Sequence, residues 1–158
     1  MDFNHTEERR MLADSLRRTL ERGASWSDLA ELGVLGALFT EDEGGFGGDG
    51  YDIAVVFEEL GRAGCTLPVL EAGLAGGLLA DCGKSDLVEQ VIGGELRVAL
   101  AHAEPGLRYD IGPITTTANS GTISGRKSVV SAVDEADLLI VSAMDNGTLS
   151  LFSVDPKG

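Results

Sequence analysis

The sequence predicts an α+β protein in which an all-helical part comes first and an antiparallel β part follows. Three observations predict it. Helix-capping residues and apolar residues at helical spacing recur through the first hundred positions, whereas beyond Arg97 short β-branched runs alternate with Gly, Asn, Asp and Pro. The charge changes at the same place, since 19 of the 26 acidic residues lie in 1–97 and seven lie after it. Helices segregated from strands mark the α+β class and not the alternating βαβ order of a nucleotide-binding sheet. The expected boundaries are therefore a helical domain over 1–96 and a β domain over 97–158.

Each element has a local cause. Asn4 with Glu7 three residues on resembles a capping box, and Leu12, Leu16 and Leu20 then recur on one face, which predicts a helix over 5–22 ended by Gly23. Ser25 followed by Asp28 opens a second, shorter helix with Leu29, Leu32 and Leu35 facing inward. Five glycines among residues 44–50 predict a loop. Ile53, Val56, Phe57 and Leu60 then give an amphipathic helix to about Ala63, and the Ala-, Gly- and Leu-rich stretch 67–80 suits a helix buried on several sides. A short helix starts at Asp86 and ends at Gly93-Gly94. Strands are expected near 97–103, 113–118, 122–131, 137–143 and 148–154. Such strands leave apolar edges, which stable sheets pair or cover, so further chain or a partner subunit is expected.

Composition narrows the function. With 158 residues, 43% hydrophobic, the chain is long enough for a real core. A net charge of -14 repels phosphate backbones and anionic lipids, which sets aside nucleic-acid and membrane-surface roles. No stretch is long and apolar enough for a membrane span, and the start has neither the basic residues nor the apolar run of a signal peptide, so a cytoplasmic protein is expected. Cys65 and Cys82, 17 apart with no histidine near, spell neither a zinc site nor a redox pair and are expected as small buried thiols.

The motifs are weighed one by one. The glycine-rich loop follows a helix and not a strand, holds no lysine, and is flanked by Glu41, Asp42, Glu43 and Asp49, which argues against phosphate binding. Glu58 and Glu59 point about 100° apart on a helix and cannot face each other as an acid/base pair; they are expected as solvated or capping carboxylates. His102 and Glu104 would share a strand face, compatible with general-base chemistry or with a hydrogen-bonded interior pair. Arg126 and Lys127 are expected as a solvent-facing turn pair or as holders of an anionic cofactor or substrate.

Several segments in order resemble the acyl-CoA dehydrogenase flavoprotein family. They are the opening Asp2-Phe3 helix, Leu29-Ala30-Glu31-Leu32-Gly33-Val34-Leu35-Gly36, Asp42-Glu43-Gly44-Gly45-Phe46-Gly47-Gly48 and Phe57-Glu58-Glu59-Leu60-Gly61-Arg62. Gly94-Glu95, Glu104-Pro105-Gly106, Ile123-Ser124-Gly125-Arg126-Lys127 and Ala136-Asp137 continue the series. The resemblance implies a helical N-terminal domain and part of a middle β domain, with the family's C-terminal four-helix domain absent. It implies FAD, held between the middle and C-terminal domains and across a subunit interface. The implied chemistry is α,β-desaturation of an acyl-CoA thioester, in which a glutamate takes the α-proton, flavin N5 takes the β-hydride and an electron-transferring flavoprotein reoxidises the flavin. That glutamate belongs to the C-terminal domain, so the resemblance assigns no catalytic residue here, and no metal site is expected.

The resemblance also places cofactor-binding positions. Main-chain N–H groups of His102 and Ala103 would meet the flavin pyrimidine edge. Where the family carries a Thr and a Ser on the flavin or pyrophosphate, this chain has Ala103 and Tyr109. Ser131 keeps a hydroxyl that the family uses on the flavin, and Val129 stands in place of a flavin-flanking aromatic. The implied partners are an acyl-CoA of fatty, branched or sterol type, the electron-transferring flavoprotein, and further dehydrogenase subunits in a homo- or hetero-oligomer. FAD affinity in this chain alone is expected to be weakened or lost. The alternative is a non-catalytic subunit that pairs with an active homologue.

Overall fold

The computed structural model describes residues 5–47, 50–107, 110 and 112–157. It divides at Leu96/Arg97 into two compact units. The α+β class is as expected.

The first unit is helical. Helix α1 (Glu7–Leu20) is capped by Thr6, whose side chain accepts from Arg9 N–H; the expected cap Asn4 lies outside the described residues. Helix α2 (Trp26–Glu31) starts on the Ser25/Asp28 capping box, and Trp26 Nε1 donates to the Gly94 carbonyl at 2.9 Å, tying this helix to the unit's last turn. Helix α3 (Gly50–Ala63) lies against α1. The expected solvated role of its two adjacent carboxylates holds only for Glu58. Glu59 is buried and accepts two hydrogen bonds from Arg17, at 2.9 and 2.7 Å. These bonds hold its carboxyl below the usual carboxylate range against the opposing effect of burial. Helices α4 (Val69–Asp81) and α5 (Ser85–Ile92) complete the unit. Leu16, Leu29, Leu35, Phe39, Val56, Val69, Ala75 and Val91 form its core. Cys65 is half-buried and Cys82 exposed, in contrast to the expected buried pair, because Cys82 sits past the last turn of α4.

Close packing explains the described part of the glycine-rich loop. The Glu43 carboxylate accepts from both the N–H and the hydroxyl of Thr40, closing a tight turn over Glu41–Glu43. The chain then passes so near residues 36–39 that a β-carbon on Gly45 would fall 2.3 Å from the Phe39 carbonyl oxygen and 2.5 Å from that of Gly36.

The second unit is a five-stranded sheet: β1 (Val98–Ala101), β2 (Thr117–Asn119), β3 (Thr122–Ser124), β4 (Leu138–Asp145) and β5 (Thr148–Val154). The sheet is mixed, not wholly antiparallel. One edge of β4 pairs in parallel with β1 and then with β2, while its other edge pairs antiparallel with β5 along the whole strand. Parallel neighbours need a long crossover, which residues 102–137 supply. Asp137 accepts from Arg97 N–H at the head of the β1/β4 pair. The β4/β5 hairpin turns on Asn146-Gly147, with φ of 48° and 84°, the positive values that a two-residue primed turn demands. As the central strand, β4 buries Ile140, Val141, Ser142 and Ala143 in an unbroken run. The strand expected over 122–131 stops at Ser124, and further along Val129 and Ala132 adopt left-handed backbone angles, φ of 52° and 56°.

No helix among the described residues is long and apolar enough to cross a membrane.

Candidate functional site

The polar centre of the second unit forms where the segment following β1 meets Thr115, Thr116, Lys127 and β4. Glu104 is buried, and both of its carboxylate oxygens are fully engaged. Oε2 accepts from the N–H (2.8 Å) and hydroxyl of Thr115, and Oε1 from the N–H (3.0 Å) and hydroxyl (2.6 Å) of Thr116. Oε1 also accepts from Lys127 Nζ at 2.8 Å. Lys127 further donates to the His102 carbonyl and to Ser142 Oγ, each at 3.1 Å, and Ser142 Oγ lies 2.9 Å from His102 Nδ1.

This geometry decides between readings that the sequence leaves open. Lys127 is no solvent-facing turn residue; its side chain is only 9% exposed and pairs with Glu104. Glu104 is also no general base. Burial pushes its carboxyl up, but the hydrogen bonds from Lys127, Thr115 and Thr116 together outweigh burial and hold it far below the ordinary carboxylate range. With both oxygens engaged by Thr115, Thr116 and Lys127, the carboxylate holds structure together. Thr115, Thr116 and Ser142 were not singled out from the sequence. Ser142 carried a readable signal, a lone hydroxyl inside the apolar run Leu138-Leu139-Ile140-Val141-Ser142-Ala143.

The network joins two of the segments that carry the expected cofactor-binding positions. His102 and Ala103 follow β1 directly, and the Ala103 carbonyl accepts from Ser128 N–H at 2.9 Å. With Lys127 bonded to the His102 carbonyl, residues 127–128 are fastened to residues 102–103 at two points. Beyond this clamp, Val129 is 94% exposed and Ser131 is exposed at the start of a turn. Tyr109 lies outside the described residues.

Val129 is strained as well as exposed. A β-branched residue in the left-handed region is an outlier, and such strain gathers where a chain is shaped for a ligand. Val129→Asn, which tolerates this conformation, is expected to stabilise the chain by about 1 kcal/mol. Denaturant midpoints of the two proteins check this; an unchanged or lower midpoint for the variant contradicts the strain.

A helical unit is followed in the chain by a β unit whose buried ion pair, Glu104 with Lys127, fastens its loops together. The first unit matches the family model described as the N-terminal domain of acyl-CoA dehydrogenase, over residues 7–94. The chain belongs to the acyl-CoA dehydrogenase family. It is 32% identical over 155 residues to acyl-CoA dehydrogenase FadE28 of Mycobacterium tuberculosis, covering 94% of this chain and 44% of that protein. FadE12 of the same organism is 30% identical over 138 residues, with 81% of this chain and 36% of the relative covered. Among solved structures, a variant of the Tcur3481-Tcur3483 steroid ACAD superposes with a TM-score of 0.80 at 27% identity, covering 94% of this chain and 48% of that one. The chain thus spans less than half the length of these relatives.

Proposed function

We propose that this chain supplies the N-terminal helical domain, over 1–96, and part of the middle β domain, over 97–158, of an FAD-dependent acyl-CoA dehydrogenase. The assembly desaturates an acyl-CoA thioester between its α and β carbons and passes the electrons to an electron-transferring flavoprotein in the cytoplasm. One observation carries the reading. Lys127 and Ser128 fasten the His102-Ala103 segment to the stretch bearing Val129 and Ser131, so positions that the family uses on flavin sit on a single braced scaffold.

In this reading the residues of this chain bind and orient. Main-chain N–H groups of His102 and Ala103 would meet the flavin pyrimidine edge, Ser131 would offer a hydroxyl, Val129 would flank the ring where an aromatic is usual, and Tyr109 takes the sequence position of the family's Ser on the flavin or pyrophosphate. Bound flavin supplies hydride acceptance. Glu104 and Lys127 keep the scaffold rigid.

The second reading, a subunit without chemistry of its own beside an active homologue, is favoured by Ala103 and Val129, which lack the hydroxyl and the aromatic ring of the family pattern. The similarity to the Tcur3481-Tcur3483 steroid ACAD fits either reading. Ser131→Ala in the assembly purified from its host separates them. Lower FAD content and turnover support the first reading; unchanged FAD content and turnover support the second.

A further inference from the structure

The ammonium of Lys127 sets the direction of a hydrogen-bond chain that ends on a histidine ring. A lysine has three N–H donors and no acceptor. Lys127 Nζ meets three acceptors: Glu104 Oε1 at 2.8 Å, and the His102 carbonyl and Ser142 Oγ at 3.1 Å each. Ser142 Oγ therefore accepts a hydrogen bond from Lys127. Ser142 is fully buried, and the one other partner of its Oγ among the described residues is His102 Nδ1 at 2.9 Å. Its hydroxyl proton must point to that nitrogen. Were Nδ1 to carry the hydrogen, Ser142 would accept from both sides and its own proton would be left buried without an acceptor.

We infer that His102 is a fixed hydrogen-bond donor through Nε2–H, and that Lys127, acting through Ser142, is the positioning residue that sets this tautomer. The unprotonated nitrogen is occupied by Ser142, so any group that meets the other edge of the ring must be an acceptor, such as a carbonyl oxygen, a ring nitrogen or an anionic oxygen. His102 then orients a ligand or a neighbouring segment and serves as no general base, the role that its sequence position beside Glu104 had left open. The inference goes beyond the flavin reading and does not depend on it.

The test is the tautomer itself. The chain has two histidines, so a long-range proton–nitrogen correlation spectrum of the uniformly 15N-labelled protein contains two ring systems, and His102→Gln assigns them. The expected wild-type pattern is a single Nε2–H tautomer for His102. Ser142→Ala removes one oxygen from the chain and is expected to release a mixture of both tautomers; Lys127→Met, where it folds, is expected to do the same. A wild-type ring carrying its proton on Nδ1, or an unchanged pattern in Ser142→Ala, overturns the inference. FAD added to the same samples reads the cofactor separately: a spectrum that does not respond counts against the flavin reading and leaves the tautomer result as measured.

Discussion

Lys127→Met is expected to destabilise the chain by about 3–5 kcal/mol, the range for removing one partner from a buried ion pair. The penalty comes from Glu104, which stays in a site that is only 2% exposed after losing its cation. Glu104→Gln also fails, despite its shape. Each carboxylate oxygen faces a main-chain N–H, so the amide nitrogen must meet that of Thr115 or Thr116 donor against donor, even where the threonine hydroxyl turns to accept. The two substitutions act on one contact, and a double-mutant cycle should return a coupling of about 0.5–3 kcal/mol.

The same pair fixes the pH dependence. The folded-state pKa of Glu104 lies below its ordinary value of 4.5, so the unfolded chain takes up a proton more readily than the folded one. Its contribution to stability is fully present above about pH 4.5 and is lost as the pH falls toward the folded value. Glu59 and Asp137 are lowered too and add to the same acid slope. Without the cation, the Glu104 pKa rises toward or above its unfolded value. Lys127→Met should therefore show a flatter loss of stability than the wild type as the pH falls below about 4.5, and parallel slopes there would contradict the assignment.

Gly45→Ala is the second large effect, with an expected loss of about 3 kcal/mol, at the upper end for overpacking. The new methyl group would meet main chain, which cannot swing aside as a side chain can. The Phe39 carbonyl it strikes is held by Gly47 N–H at 3.0 Å, and the Gly36 carbonyl by Phe46 N–H at 3.1 Å. Relief requires breaking those bonds and moving the turn that Thr40 and Glu43 close. Chemical denaturation should show the midpoint falling steeply. An alanine tolerated at this position would mean that the loop is looser than its packing indicates.

What was legible in the sequence was local. A helix expected over 5–22 is Glu7–Leu20, and the Ser25/Asp28 box starts α2, because caps and periodicity act within a few residues. The parallel pairing of β4 was not legible, since strand order depends on partners some 40 positions away and β-branched runs read alike in either direction. The buried role of Lys127 is not legible for the same reason: its carboxylate lies 23 positions upstream and on another segment. Nothing in the sequence marks Val129 as left-handed, valine being among the last residues expected there. The family resemblance supplied the positions around it, and the structure supplied the clamp that joins two of the segments carrying them.

Native mass spectrometry of the protein purified from its host, under conditions that retain cofactor, tests the central claim most directly, because one spectrum reads chain mass, bound FAD and partner subunits. Assemblies that carry FAD and contain this sequence within dehydrogenase subunits are the predicted result. A 16.5 kDa chain without FAD, alone or bound to a larger homologue, would contradict it.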